Sequence, residues 1–157
     1  MSKKPVEFQL NGSSVAVFSE DADNLLTVLR SKVGDQTPKY GCGQGGCGAC
    51  MVTVEGKPVL SCVTLAETVD GKSVETLAGL SRNGLDPLQI AFMEGFAAQC
   101  GYCTPGMIVA ARTLLRRNPT PSRAEIAEAI SDNLCRCTGY DPIIDAIEAA
   151  AQQENGG

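Results

Sequence analysis

Cysteine carries the chemistry open to this chain. Eight cysteines stand at Cys42, Cys47, Cys50 and Cys62, and then at Cys100, Cys103, Cys135 and Cys137. The chain has no histidine. A Ser-His-Asp triad, a His-ligated zinc site, a His-held haem and a Rieske centre are therefore excluded within it. An even cysteine count fits disulfides in an exported protein. Residues 1–10 are polar and alternating, however, without the apolar stretch of an export signal or a twin-arginine pair. The sequence is read as cytoplasmic, where thiols stay reduced. The cysteines are then expected to bind metal.

Gly41-Cys42-Gly43-Gln44-Gly45-Gly46-Cys47-Gly48-Ala49-Cys50 places three thiols in one glycine-rich loop, with Cys62 standing apart. This is the plant-type [2Fe–2S] spacing. A loop wrapped round such a cluster must bring backbone N–H groups to the sulfurs and adopt φ values that a Cβ resists. The alternative is a four-cysteine structural zinc site, but zinc sites usually show paired short-spaced knuckles. A plain disulfide loop is the weakest alternative.

Cys100-Gly101-Tyr102-Cys103 runs into Thr104-Pro105, and Cys135-Arg136-Cys137 is followed by Asp141-Pro142. Both are helix-start signals, so both pairs are expected at helix N-termini, whose N–H groups and partial positive charge suit an anionic cluster. Arg136, between two thiols, adds a full positive charge or is simply a solvated side chain. On spacing alone zinc fits this second group equally well. The helix placement and the neighbouring glycine loop favour iron–sulfur.

The elements that position these loops read as two units. Val6, Phe8 and Leu10 alternate with polar residues as a half-buried strand, Asn11-Gly12 is a hairpin turn, and Val15 and Val17 continue on a second strand. Leu25, Leu26, Leu29 and Val33 recur at helical spacing, with Gly34 as a C-cap. Further strands are expected over 51–55, 58–60 and 73–76. The turn-forming stretch 78–86 reads as a linker. Beyond it, Asp86-Pro87, Thr104-Pro105 and Asp141-Pro142 each place an acceptor before a proline, and Ser122-Arg123-Ala124-Glu125 fits a capping box. Leu88, Phe92 and Phe96 share one helical face; Ile108, Ala111 and Leu115 another; Ile126, Ile130 and Leu134 a third; Ile143 and Ile147 a fourth. Four short amphipathic helices in a bundle are expected.

The 157 residues carry 43% hydrophobic and 20% charged side chains, ordinary values that exclude wholesale disorder. The net charge of −5 argues against nucleic acid as a partner. No run approaches the length of a membrane span.

The glycine loop, Gln99-Cys100-Gly101-Tyr102-Cys103-Thr104-Pro105-Gly106 and Asn133-Leu134-Cys135-Arg136-Cys137-Thr138-Gly139-Tyr140 together resemble the iron–sulfur part of the xanthine oxidase family of molybdenum hydroxylases. The resemblance covers residues 4–150 or so. It implies an α+β chain, with an N-terminal β-grasp plant-type ferredoxin domain over 1–80 and an all-α four-helix-bundle [2Fe–2S] domain over 81–157. Cys42, Cys47, Cys50 and Cys62 would hold an outer cluster, and Cys100, Cys103, Cys135 and Cys137 an inner one. Because the chain stops soon after the second domain, it is expected to be a separate small subunit in a hetero-oligomer. Its partners would be a large molybdopterin-binding subunit, the cofactor being a cytosine dinucleotide, and a medium FAD subunit or a cytochrome. Gln99 and Cys137 would lie against the pterin. The implied work is electron transfer, one electron at a time, with no catalytic residue in this chain. A freestanding two-cluster ferredoxin is the alternative. Met51 and Gln44 depart from the Thr and acidic residue common in relatives, without touching a ligand position. Met93, Phe96, Met107 and Ile108 are expected in the bundle core, with docking to the large subunit as the alternative.

Overall fold

The computed structural model describes residues 3–156. Strand β1 (Lys3–Leu10) buries Val6, Phe8 and Leu10 and pairs antiparallel with β2 (Ser13–Glu20), Val6 opposite Val17 and Phe8 opposite Val15. Asn11 (φ 52) and Gly12 (φ 80) form the turn, both in the left-handed region that a tight hairpin needs. Strands β3 (Met51–Val54) and β4 (Lys57–Leu60) make a second hairpin, and β5 (Ser73–Glu75) lies between the two. The sheet order is β2-β1-β5-β3-β4, with β1 parallel to β5. This is a β-grasp sheet, as expected.

One helix crosses it. Asn24 caps α1 (Leu25–Thr27), its Oδ1 accepting from the Thr27 N–H at 2.8 Å. The sequence predicts an α-helix through Val33, but the turns widen over Val28–Val33 into a π-helix before Gly34 (φ 88) ends it. Leu25, Val28 and Leu29 pack on Val6, Phe8, Val52 and Val74, while Leu26 packs on Cys50 and Cys62. Arg30 ties the helix to the next loop, its guanidinium donating to the carbonyls of Gln36 (3.1 Å) and Pro38 (2.8 Å).

The stretch 78–86 is not a free linker. Its first residues form a short helix, α2 (Leu77–Leu80), whose leucines pack on the helical core. Asn11 of the β1–β2 turn holds it, exchanging hydrogen bonds with Thr76 (2.9 and 3.0 Å) and accepting from the Arg82 guanidinium through its carbonyl. Turn-forming composition marks where the chain bends, not whether the bend is anchored.

The helical unit comprises α3 (Pro87–Glu94), α4 (Thr104–Arg117), α5 (Arg123–Ala129) and α6 (Asp141–Asn155). Capping boxes form at Asp86 with Gln89 and at Ser122 with Glu125. The other two starts fall one residue earlier than expected. Cys103 and Tyr140 occupy the cap positions, and neither Thr104 nor Asp141 caps through its side chain. Met107 and Ile108 are in the core as expected, together with Leu88, Phe92, Ala111, Leu115, Ile126, Ile130, Ile143 and Ile147. Phe96 and Leu134 are not. Helix α3 ends before Gly95, and Phe96 turns outward (φ 51, 83% exposed); α5 ends at Ala129, leaving Leu134 beyond it and exposed. Met93 is exposed too. Among the described residues, no helix is long and apolar enough to cross a membrane.

Arg112 of α4 ties the bundle ends together. Its guanidinium donates to Glu154 of α6 at 2.7 and 3.0 Å and to the Asp86 cap of α3. Arg112 and Asp86 side chains are nearly buried. Removing one member of such a group strands the others' charge, at about 3–5 kcal/mol. Arg112→Met is therefore expected to destabilise the helical unit by that order, read as a lower denaturation midpoint in urea.

Candidate metal centres

Cys42 and Cys47 lie in the glycine loop, Cys50 directly precedes β3, and Cys62 follows β4. The β3–β4 register, Met51 opposite Leu60, sets Cys50 beside the Ser61-Cys62 turn, where the Ser61 hydroxyl donates to the Cys50 carbonyl at 2.7 Å. Gly43, Gly45 and Gly48 take φ values of 68–80°, as the loop reading requires. The folded loop turns its amides onto sulfur: Gly46 N and Gln44 N donate to Cys42 Sγ (3.2 and 3.5 Å), and Cys42 N donates to Cys47 Sγ (3.4 Å). Those amides of Gln44 and Gly46 pull the Cys42 thiol down to about 6. Burial, followed by the neighbouring Cys50, pushes Cys62 up to about 11.

The second group forms around the start of α4. Cys103 lies at the N-terminus of that helix, as the sequence predicts for the first pair, although in the cap position expected for Thr104. The second pair is a correction. Cys135 and Cys137 lie in the loop ahead of α6, separated from it by Thr138, Gly139 (φ 72) and Tyr140 (φ 74), so they are not at its N-terminus. They gain other donors instead: Thr138 Oγ1 is 3.2 Å from Cys135 Sγ. Burial, then Cys135, pushes the Cys103 thiol up to about 12. Arg136 is exposed and lines the same cavity as the thiols.

All eight thiols are free. Cys100 and Cys137 have their sulfurs 3.6 Å apart, far beyond a disulfide bond of about 2.05 Å. Two thiolates on one tetrahedral metal, each about 2.3 Å from it, stand about 3.8 Å apart. Among the described residues, no three candidate ligands gather round a single ion position. The sulfurs lie as neighbouring pairs: Cys42 with Cys47, Cys50 with Cys62, Cys100 with Cys137, and Cys103 with Cys135. Two pairs per group suit a rhomb of two metals better than one zinc ion. The amide and hydroxyl donors on the sulfurs suit its negative charge.

The two groups are neighbours. Six of the thiols, with Tyr102 and Arg136, line one cavity of about 430 Å³. One main-chain and one side-chain bond close the junction: Leu134 N donates to the Cys47 carbonyl (2.9 Å) and the Asn133 side-chain Nδ2 to the Gly48 carbonyl (3.1 Å). The Tyr102 hydroxyl donates to the Tyr40 carbonyl (2.6 Å). Gly48 and Gly106 make the approach possible, because a Cβ on Gly106 would sit 2.2 Å from the Gly48 carbonyl oxygen. Asn133, buried at this seam, was not visible in the sequence as a site residue; nor were Tyr102 and Thr138. Their only signal is position, each within three residues of a cysteine. Met51, which departs from the Thr common in relatives, is buried where the sheet meets the helical core. Gln99 donates to the Cys137 carbonyl at 3.1 Å, so these two residues share one exposed corner.

Two family descriptions match the chain: a 2Fe-2S iron-sulfur cluster binding domain over residues 8–79 and a [2Fe-2S] binding domain over 74–148. The chain is 44% identical over 154 residues to the nicotinate dehydrogenase small FeS subunit of Eubacterium barkeri, covering 98% of each chain. A chain of quinoline 2-oxidoreductase from Pseudomonas putida superposes with a TM-score of 0.93 at 44% identity, covering 99% of this chain and 98% of that one. Aldehyde oxidoreductase from Desulfovibrio desulfuricans gives a TM-score of 0.94 at 41% identity, over 98% of this chain but 17% of that one.

Gly106→Ala forces a methyl group into the seam. The expected cost is about 1–3 kcal/mol, typical of overpacking, seen as a lower melting temperature and faster proteolytic cutting near Gly48. An unchanged melting temperature and digestion pattern would contradict the seam.

Proposed function

Since the chain belongs to the small iron–sulfur subunits of the xanthine oxidase family of molybdenum hydroxylases, we propose that its eight cysteines hold two [2Fe–2S] clusters. Cys42, Cys47, Cys50 and Cys62 take the outer one, and Cys100, Cys103, Cys135 and Cys137 the inner one, in units that divide at residue 80. When bound, the clusters supply a one-electron relay between two-electron chemistry at molybdenum and the acceptor. The observation that carries this reading is the gathering of the eight sulfurs into two groups of pairs, six of them lining one cavity at the seam, where Leu134 N bonds the Cys47 carbonyl.

The chain's own residues do the rest. The amides of Gln44 and Gly46 hold negative charge at the outer group. The seam bonds of Asn133, Leu134 and Tyr102 fix the distance between the groups. Gln99 and Cys137, at the exposed corner, meet the pterin of a molybdopterin cytosine dinucleotide held by a large subunit. Met93, Phe96 and Leu85, all exposed, offer that subunit an apolar face. FAD on a medium subunit, or a cytochrome, meets the other end. Eight free thiols support a cytoplasmic setting. The choice of substrate lies with the large subunit; the names of the relatives span N-heteroaromatics and aldehydes.

Native purification tests the assignment. Two clusters require about four irons and four acid-labile sulfides per chain, and the chain is expected to co-elute with a molybdenum-containing large subunit. Elution alone, without molybdenum, would favour a freestanding ferredoxin. Cys103→Ser is expected to lose the inner paramagnetic signal, keep the outer one and abolish turnover with the physiological acceptor. Phe96→Asp is expected to leave both signals and weaken co-elution at least tenfold.

A further inference from the structure

Donors to sulfur differ in kind between the two groups. At Cys42 and Cys47 the sulfur bonds come from main-chain amides of the glycine loop. At Cys135 a side chain takes part: Thr138 Oγ1 lies 3.2 Å from Cys135 Sγ. This hydroxyl is not left to rotate. The Tyr140 amide donates to Thr138 Oγ1 at 3.2 Å, occupying a lone pair and leaving the hydroxyl proton to point at the sulfur. The Cys135 amide in turn donates to the Tyr140 hydroxyl at 3.0 Å. The three residues thus form a closed ring in which Tyr140 is both acceptor and donor. Tyr140 makes these bonds from a left-handed φ of 74°, strained for a residue with a side chain, and its ring packs on the helical core. Its carbonyl accepts from the Ile143 and Ile144 amides at the start of α6 (2.9 and 3.0 Å), and the same strained turn brings its own amide within reach of Thr138.

A hydrogen bond to a cluster thiolate favours the more negative, reduced state, and so raises the reduction potential. Unlike an amide, a hydroxyl can be removed by substitution without altering the main chain. We propose that Thr138 is a positioning residue that tunes the inner centre: its hydroxyl, aimed by the Tyr140 amide at Cys135 Sγ, raises the potential of that centre and leaves the outer one unchanged. The proposal rests on the assignment of Cys135 as an inner-cluster ligand. Within that centre, the bond falls on the Cys103–Cys135 pair, so the raised electron affinity is one-sided.

Redox titration of the intact complex, followed by the two paramagnetic signals, tests this. Thr138→Val keeps the shape and removes the donor. The expected result is a more negative inner midpoint with the outer midpoint unmoved. Thr138→Ser, which keeps the hydroxyl, is expected to return the inner midpoint to the wild-type value. Thr138→Ala replaces Thr138→Val should the latter fail to assemble. In heavy water, pulsed resonance is expected to lose one exchangeable deuteron coupling at the inner centre of the donor-free variant. An inner midpoint equal to wild type in a variant with full iron content overturns the proposal, as does an equal shift in the Ser and Val variants. A Cys135→Ser control separates the two levels. An intact inner signal there would overturn the ligand assignment itself, whereas a lost inner signal with an unmoved Thr138→Val midpoint would overturn only the tuning.

Discussion

Thiolates repel one another, and four of them share a small volume only when positive charge and donors are set among them. That constraint shapes both halves of this chain. Burial first, and then the neighbouring thiols, drive Cys62 and Cys103 towards the neutral form. Metal must oppose that drive, and the surrounding donors decide how strongly charge is held afterwards. In the first half the donors are amides of a loop that glycine lets turn inward. In the second they are mixed: the cap position of a long buried helix holds Cys103, and a threonine hydroxyl reaches Cys135.

The sheet and the bundle serve this constraint as scaffolds. The β3–β4 register sets Cys50 near Cys62 although the sequence separates them, and Leu26 of the crossing helix closes over both. Helix α4 runs from Cys103 through the bundle core and reaches Arg112, whose ion pairs fasten α3 and α6. Its Arg116 also bonds Glu75 at the end of β5, at 2.5 and 3.0 Å. One helix thereby connects a site residue, the bundle and the sheet.

The strands, the hairpin turn at Asn11-Gly12, the Asp86 cap, the Ser122–Glu125 capping box and the grouping of cysteines were legible because each depends on residues close in sequence. Spacing announces such features. The misplaced elements have a common cause. Phe96 and Leu134 continue a helical period past the point where the helix stops, and periodicity carries no stop signal when no proline follows. The placement of Cys135 and Cys137 at a helix start failed for a similar reason: Asp141-Pro142 marks the helix, but the turn through Gly139 and Tyr140 sets the cysteines apart from it. The seam was illegible throughout. Asn133 and Gly48, or Tyr102 and Tyr40, are distant in sequence, and their types alone do not pair them. The anchoring of 78–86 by Asn11 is of the same kind.

The seam also imposes an order on how the chain matures. The carbonyl of Gly48 waits for Asn133, 85 positions further along, and that of Cys47 for Leu134. As the polypeptide leaves the ribosome, the glycine loop is complete long before either partner emerges, so its outward carbonyls remain hydrated. Contacts of such long range close slowly. The seam therefore cannot close until residue 134 has left the ribosome, long after the glycine loop it fastens.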